Sequence, residues 1–308
     1  MLTSRQLEAL YLEACDLDIA ALKPGNVSLY SEGYGMGVVD FLLSARVSAP
    51  WVVAKGLPLG ERIYRAVEAT RRAVGCNTNL GILLLTVPIA MAAERGGELA
   101  REVPSILGQT TCQDTVWLYR AIRLAHPGGL GRVERGDVAE EPTISLLEAM
   151  RLAEKRDRIA WNYVHGFADI FEWGIYQYHN RLNCCGKATE AVEALYLHFL
   201  ARLPDSLIAR KFGRRKSVAV SRFLRRWLKE KGGAWSRGEL LKLDRLLKRH
   251  QCNPGTTADL TVATVFAFGC LKGGGGHVAQ ALPTQKEDPA GGGRGGFETS
   301  RRETSWRS

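Results

Sequence analysis

Apolar residues recur every third or fourth position over most of the first 270 residues, and runs of alternating, β-branched strand pattern are hard to find. That spacing gathers side chains on one face of a helix and does not suit a strand, whose faces alternate at every second residue. The expected fold is therefore all-α: one multi-helix bundle domain over 1–270. Thr3 and Gln6 have the spacing of a capping box ahead of a stripe through Leu7, Leu10, Tyr11, Ala14 and Leu17. Lys23-Pro24-Gly25 stops that helix, because the residue before a proline is pushed out of the helical region. The same period predicts helices over 40–49, 60–74, 78–94, 112–125, 145–178 (with a break near Gly166), 188–203, 217–231 and 238–250, and about ten in all. Ser145 with Glu148 forms a second capping box.

The balance of 45% apolar and 24% charged residues over 308 is that of a folded globular chain, and it excludes collagen, a coiled coil and a wholly disordered protein. Segment 127–142 reads as a polar, glycine-rich loop between two helical halves. Segment 271–308 is low in complexity, with almost no apolar periodicity, and is expected to be a disordered tail. The net charge of +10 is localised: residues 202–249 hold 16 Lys and Arg against 4 Asp and Glu, and the rest of the chain is slightly negative. Any anionic partner should feel that segment first. The seven cysteines form no CxxC pair, and Cys184 and Cys185 are adjacent, which suits reduced thiols and a cytoplasmic location. The N-terminus has no signal-peptide core, and the longest apolar run, 82–93, is 12 residues with Pro88 inside it, too short to span a bilayer.

Four polar, glycine-containing segments interrupt the helices with groups that suit phosphate. The first is KPGNVS at 23–28, where Lys23 and Asn26 supply a charge and an amide and Gly25 lets the backbone approach closely. Read blandly, it is a helix stop with a solvated lysine. The second, 75–81, feeds Asn77, Thr78, Asn79 and Gly81 into an apolar helix, whose start is a ready phosphate site or simply a capped end. In the third, 202–213, Asp205 or Ser206 could cap a short helix that carries Arg210 and Lys211 one turn on; the alternative is the beginning of a solvated basic face. The fourth is Asn253 to Leu260. Thr256 and Asp259 have capping-box spacing, and Asp259 could instead offer Mg²⁺ a hard oxygen.

No HxxxH or HExxH pair, Walker loop, GxGxxG after a strand or GxSxG is present, and nothing suggests zinc, haem or flavin. Trp161, Tyr163, Phe167, Phe171, Trp173, Tyr176 and Tyr178 recur at helical spacing and read as core rather than as a base-stacking platform.

Taken in order, KPGNVS at 23–28, DFLLSA at 40–45, NTNLG at 77–81, LPDSLIARKFG at 203–213 and NPGTTADLTVAT at 253–264 resemble the triphosphoribosyl-dephospho-CoA synthase family, over about residues 12–267. The resemblance implies a transferase. The ribose 2′-hydroxyl of dephospho-CoA attacks the anomeric carbon of ATP, adenine departs, and the triphosphate stays on the transferred ribose. It implies Mg²⁺ with the ATP, phosphate contacts from Lys23, Gly25, Asn26, Asn77, Thr78, Gly81, Arg210, Lys211 and Thr256, and carboxylates Asp205 and Asp259 for the metal or the developing cation. Asn79, standing where well-studied members have histidine, joins the catalytic candidates.

Those members read Asn-Thr-His-Lys-Gly where this chain has Asn77-Thr78-Asn79-Leu80-Gly81, so a proton donor and a phosphate-binding cation are missing. They also carry Asp-Met-Asp where Gly35-Met36-Gly37 stands, with Asp40 nearby as a substitute. The chain looks like a divergent branch similar to relatives in archaea and one-carbon-metabolising bacteria. The alternatives are thus a transferase with another acceptor, in pterin-type cofactor synthesis, and, from a different class, a basic helical nucleic-acid-binding protein using 202–249. The latter ranks last, since no DNA- or RNA-binding motif accompanies the charge. No membrane partner is expected, and the oligomeric state leaves no signal in the sequence.

Overall fold

A computed structural model describes residues 1–274, and among them there are fourteen α-helices, one π-helical turn and no strand beyond two isolated bridges in the 28–36 loop. The all-α expectation holds. The helices are α1 Ser4–Ala20, α2 Val38–Val52, α3 Leu59–Val74, α4 Leu80–Arg95, α5 Leu99–Gly108, α6 Cys112–Ala125, α7 Leu146–Ala153, α8 Arg158–Val164, α9 Ile175–Cys185, α10 Ala188–Arg202, α11 Ser206–Phe212, α12 Arg214–Lys231, α13 Arg237–Arg249 and α14 Gly255–Gly273. The π turn, Asp169–Gly174, leads directly into α9.

Two helices are apolar on every side, α4 and α14, and a helix of that kind has to be surrounded. They pack against each other at the centre, with α1 and α10 also against α14 and α3 and α5 against α4. Inside α14, Thr261 and Thr264 donate back to Thr257 O and Leu260 O at 2.8 and 2.7 Å, so buried hydroxyls keep partners. A second, smaller cluster forms where α10 and α11 receive the apolar faces of the basic helices: Tyr196, Leu200 and Ile208 against Val220, Leu224, Leu240, Leu243 and Leu247. The basic residues of α12 and α13 are therefore the outer face of amphipathic helices. No single described helix is long and apolar enough to cross a membrane, and the α4–α5 pair, which passes together, is bent by 111°.

Both predicted capping boxes form, at Thr3/Gln6 and Ser145/Glu148. The expected box at Thr256/Asp259 does not: α14 starts at Gly255 behind Pro254, so Asp259 lies past the cap and is left to other uses. The predicted helix 145–178 is four pieces. Asp157 accepts from Ile159 N and Ala160 N and so starts α8 afresh, while positive φ at Gly166 (61°) and Phe167 (61°) breaks the chain again before the π turn. Of the aromatic run, Tyr163, Phe167, Phe171 and Tyr178 are buried in the main cluster. Helix α5, with Pro104 inside, escapes the sequence pattern. Helix α14 runs three residues past the expected domain end at 270, and the expectation for the tail falls on 275–308, outside the described residues.

Candidate active site

The four segments meet around one cavity of about 490 Å³. Its floor is made by the turns themselves. Gly25, at φ 84°, sits so close to the last turn that a Cβ there would lie 2.7 Å from Cys252 O and 2.9 Å from Pro254. Its N–H donates to Asp244 at 2.8 Å. The Asn26 amide donates to Asn253 Oδ1 at 2.8 Å across 227 residues of chain, which joins the first segment to the fourth. The third joins the fourth through Asp205, whose carboxylate caps α11 at Ile208 N and accepts from Thr257 N and Thr257 Oγ1, both at 2.8 Å. Beside it, Ser206 Oγ donates to Thr256 Oγ1 at 3.0 Å. The second meets the fourth at Gly81: a Cβ there would stand 2.0 Å from Asp259 Oδ2, so only glycine lets this carboxylate lie against the first turn of α4.

A buried hydroxyl and amide network fixes the 77–79 turn to α2 and α3. Thr78 Oγ1 donates to Ser44 Oγ at 2.6 Å, and the Asn79 amide donates to Ser48 Oγ and Thr70 Oγ1 at 3.3 and 3.0 Å. Asn77 Oδ1 accepts from Leu80 N, the first residue of α4, at 3.2 Å. The cavity's roof comes from α6, α7 and the loop after His126. A Cβ on Gly128 would fall 2.6 Å from Lys211 Cε, and one on Gly129 would fall 3.1 Å from Arg210 backbone, so the glycine pair lets the loop lie on the basic end of α11. Asp137 ties that loop together by accepting from Val133 N and Ala139 N, both at 2.9 Å, and Tyr119 donates to Gly136 O at 2.9 Å.

Of the residues singled out in the sequence, Asn26, Asn77, Thr78, Asn79, Gly81, Arg210, Lys211, Thr256 and Asp259 line the cavity. Lys23, Gly25 and Asp205 do not. Lys23 is fully buried, with Nζ 2.5 Å from Asp18 Oδ2 and 3.1 Å from Asn26 Oδ1, so its ammonium serves the wall from behind instead of facing a ligand. Gly25 is a packing requirement. Asp205 accepts one backbone N–H on Oδ1 and a backbone N–H and a hydroxyl on Oδ2, which is a structural task. Asp40 is occupied too, since it accepts from Gly37 N at 2.8 Å at the start of α2. In contrast, the Asp259 carboxylate accepts no hydrogen bond among the described residues. Burial and the neighbouring Asp205 and Asp18 carboxylates raise it well above the ordinary carboxylate range, against the opposing pull of Arg210.

Two cations line the cavity with this acid. Arg210 pairs with Asp157 through Nη1 and keeps a buried Nε without a partner, and Lys211 is exposed at the rim. Sequence reasoning missed Asp18 and Asp157, both on the wall. Most of the remaining positive charge of 202–249 lies elsewhere, partly along an open hollow of about 910 Å³ on α12 that shares no residue with the four segments.

What fold and site define is an all-α protein whose amide-, hydroxyl- and cation-bearing turns are gathered on one interior cavity with an unpaired carboxylate. The sequence matches the CitG family, ATP:dephospho-CoA triphosphoribosyl transferase, over residues 4–277, and the chain belongs to that family of transferases. A crystal structure provisionally assigned as a triphosphoribosyl-dephospho-CoA synthase from Archaeoglobus fulgidus superposes with a TM-score of 0.60 at 28% identity, covering 74% of this chain and 97% of that one. No curated protein gives a significant match.

Proposed function

We propose that the cavity binds ATP with its triphosphate between the first turn of α4 and the cations Arg210 and Lys211, and transfers the triphosphoribosyl group to dephospho-CoA. The observation that carries this reading is the meeting of Asp259 with Gly81 in the cavity that Arg210 and Lys211 also line: a carboxylate without a hydrogen-bond partner, at a helix start. A triphosphate needs donors and positive charge, which Asn77, Arg210, Lys211 and the free N–H groups of α4 supply. The developing sugar cation needs a negative group close by, and Asp259 ionises when positive charge arrives beside it. Thr78, Asn79, Asn26 and Thr256 hold the wall at the geometry the reaction needs, each through a buried hydrogen bond.

The donor set also fits Mg²⁺. Asp259 is a hard-oxygen ligand without a competing hydrogen bond, and among the described residues no group of three acidic, His or Cys side chains could hold an ion unaided. Such a site takes one or two carboxylates and completes its shell with substrate phosphates and water, and the ion neutralises phosphate charge. The seven cysteines, all free thiols, support a reducing, cytoplasmic setting.

Incubation with ATP, Mg²⁺ and dephospho-CoA should release free adenine stoichiometrically with a triphosphoribosylated product seen by mass spectrometry. Release of ADP or AMP, or no reaction, argues against the reading. One observation favours a second acceptor. Leu80, buried and apolar on the cavity wall, stands where well-studied members carry lysine, so one anion contact is absent. In that case ATP still raises Tm, while dephospho-CoA is not consumed and a different hydroxyl-bearing acceptor is.

A further inference from the structure

One interior group is left over by everything above. Asp18, in the last turn of α1, is 3% exposed. Its Oδ2 accepts from Lys23, and its Oδ1 is buried with no hydrogen-bond partner at all. A buried oxygen without a donor is costly, and its persistence asks for a ligand that brings one. Asp18 lies on the wall of the main cavity, the same wall that carries Asn26, Asn79 and Asp259. It also borders a small void with Tyr11, Cys15 and Asn79, of about 10 Å³, barely the volume of one water. Lys23 cannot swing away, because its ammonium is enclosed and bonded to Asn26 as well. The pair thus presents a carboxylate pinned at one oxygen and without a donor at the other.

We propose that Asp18 is the catalytic base of the transfer, taking the acceptor's hydroxyl proton on Oδ1, with Lys23 as the positioning residue that fixes Oδ2. This rests on the transferase reading above. In the step, the acceptor oxygen bonds to the anomeric carbon as its proton passes to Asp18. The glycosidic C–N bond breaks, and adenine takes the bonding pair and one proton from solvent. Asp18 returns its proton to solvent as the products leave. Burial raises the Asp18 carboxyl above its ordinary range and Lys23 opposes that rise. Two carboxylates then divide the work: Asp259 faces the sugar cation and Asp18 the incoming hydroxyl.

The test uses the full chain carrying Asp18→Asn, and an Asp18→Asn/Lys23→Met pair that removes the buried ammonium together with its partner, so that no uncompensated charge remains. ATP binding is read by calorimetry, and adenine release with dephospho-CoA is read in single turnover. The expected result is unchanged ATP affinity with release slowed about 100-fold or more, the usual worth of a general base. Release at the unaltered rate overturns the assignment. So does loss of ATP affinity in parallel with activity, or failure of the double variant to fold, since each makes the pair structural. Failure of the unaltered protein to release adenine overturns the transferase reading and this step with it, and is told apart because no variant is needed to see it.

Discussion

The floor and the roof of the cavity are built on opposite plans. In the floor, turns far apart in the chain lock together through buried side chains: Asn26 to Asn253, Asp205 to Thr257, Ser206 to Thr256. In the roof, the loop after His126 is held by contacts within itself and by Cys112, Tyr119 and Arg123 donating from α6 to its backbone carbonyls, and much of it is exposed. Satisfied buried networks rigidify and define one arrangement, whereas an exposed loop with local bonds can be re-formed at small cost. The floor thus suits the triphosphate of the reading proposed above, and the roof the acceptor.

The largest effect that could break this contrast is in the floor. Lys23→Ala leaves the Asp18 carboxylate buried and alone, and should lower stability by about 3–5 kcal/mol in a urea titration; a loss under ~1 kcal/mol would mean the pair is solvated and the floor is not the rigid half. Next, Gly81→Ala puts a methyl where the Asp259 carboxylate lies. Adenine release should fall on the order of 100-fold, as expected when a reacting group shifts by about 1 Å, with the helical circular dichroism unchanged.

Asp259→Asn tests the same spot from the other side. In the folded protein this carboxyl is held above its unfolded value, so the stability it contributes is fully present below the unfolded value, about 4, and is lost as pH rises through the folded one. The variant cannot ionise, so at neutral pH it should melt above the unaltered protein, with the gap closing towards pH 4, while transfer is lost. An equal Tm across that range would contradict the placement of this acid. The smallest effect belongs to the roof. Asp137→Ala removes the two N–H contacts that shape the loop and should raise the KM for the acceptor while leaving ATP affinity and Tm near their original values. The Asp137 carboxyl is held below its ordinary range by the N–H groups of Ala139 and Val133, so its contribution is present at neutral pH and fades as pH falls through that lowered value. A matching loss of ATP affinity would erase the distinction between the two halves.

Much of the floor was legible because its chemistry is local. Pro-Gly pairs, an asparagine three residues past a lysine and a threonine pair at a helix start announce themselves within six residues. What those residues do with one another was not legible, since Asp205 reads as a free carboxylate until Thr257 is seen donating to it from 52 residues away. Asp18 escaped for a related reason: beside Asp16 on an amphipathic helix it looks like solvated face, and only tertiary burial against Lys23 distinguishes it. The helices were readable from periodicity except where a side chain restarts one, as Asp157 does, or where a short helix carries a proline, as α5 does. The roof was recognisable as loop, but nothing local says it closes a cavity.

The bond between Asn26 and Asn253 has a consequence for how the protein comes into being. As the chain leaves the ribosome, α1 and the 23–28 turn are made early, and their partners at Asp244 and Asn253 come 219 and 227 residues later. The cavity floor is therefore the last thing to assemble, and a nascent chain short of α14 carries half a cavity with nothing to close it.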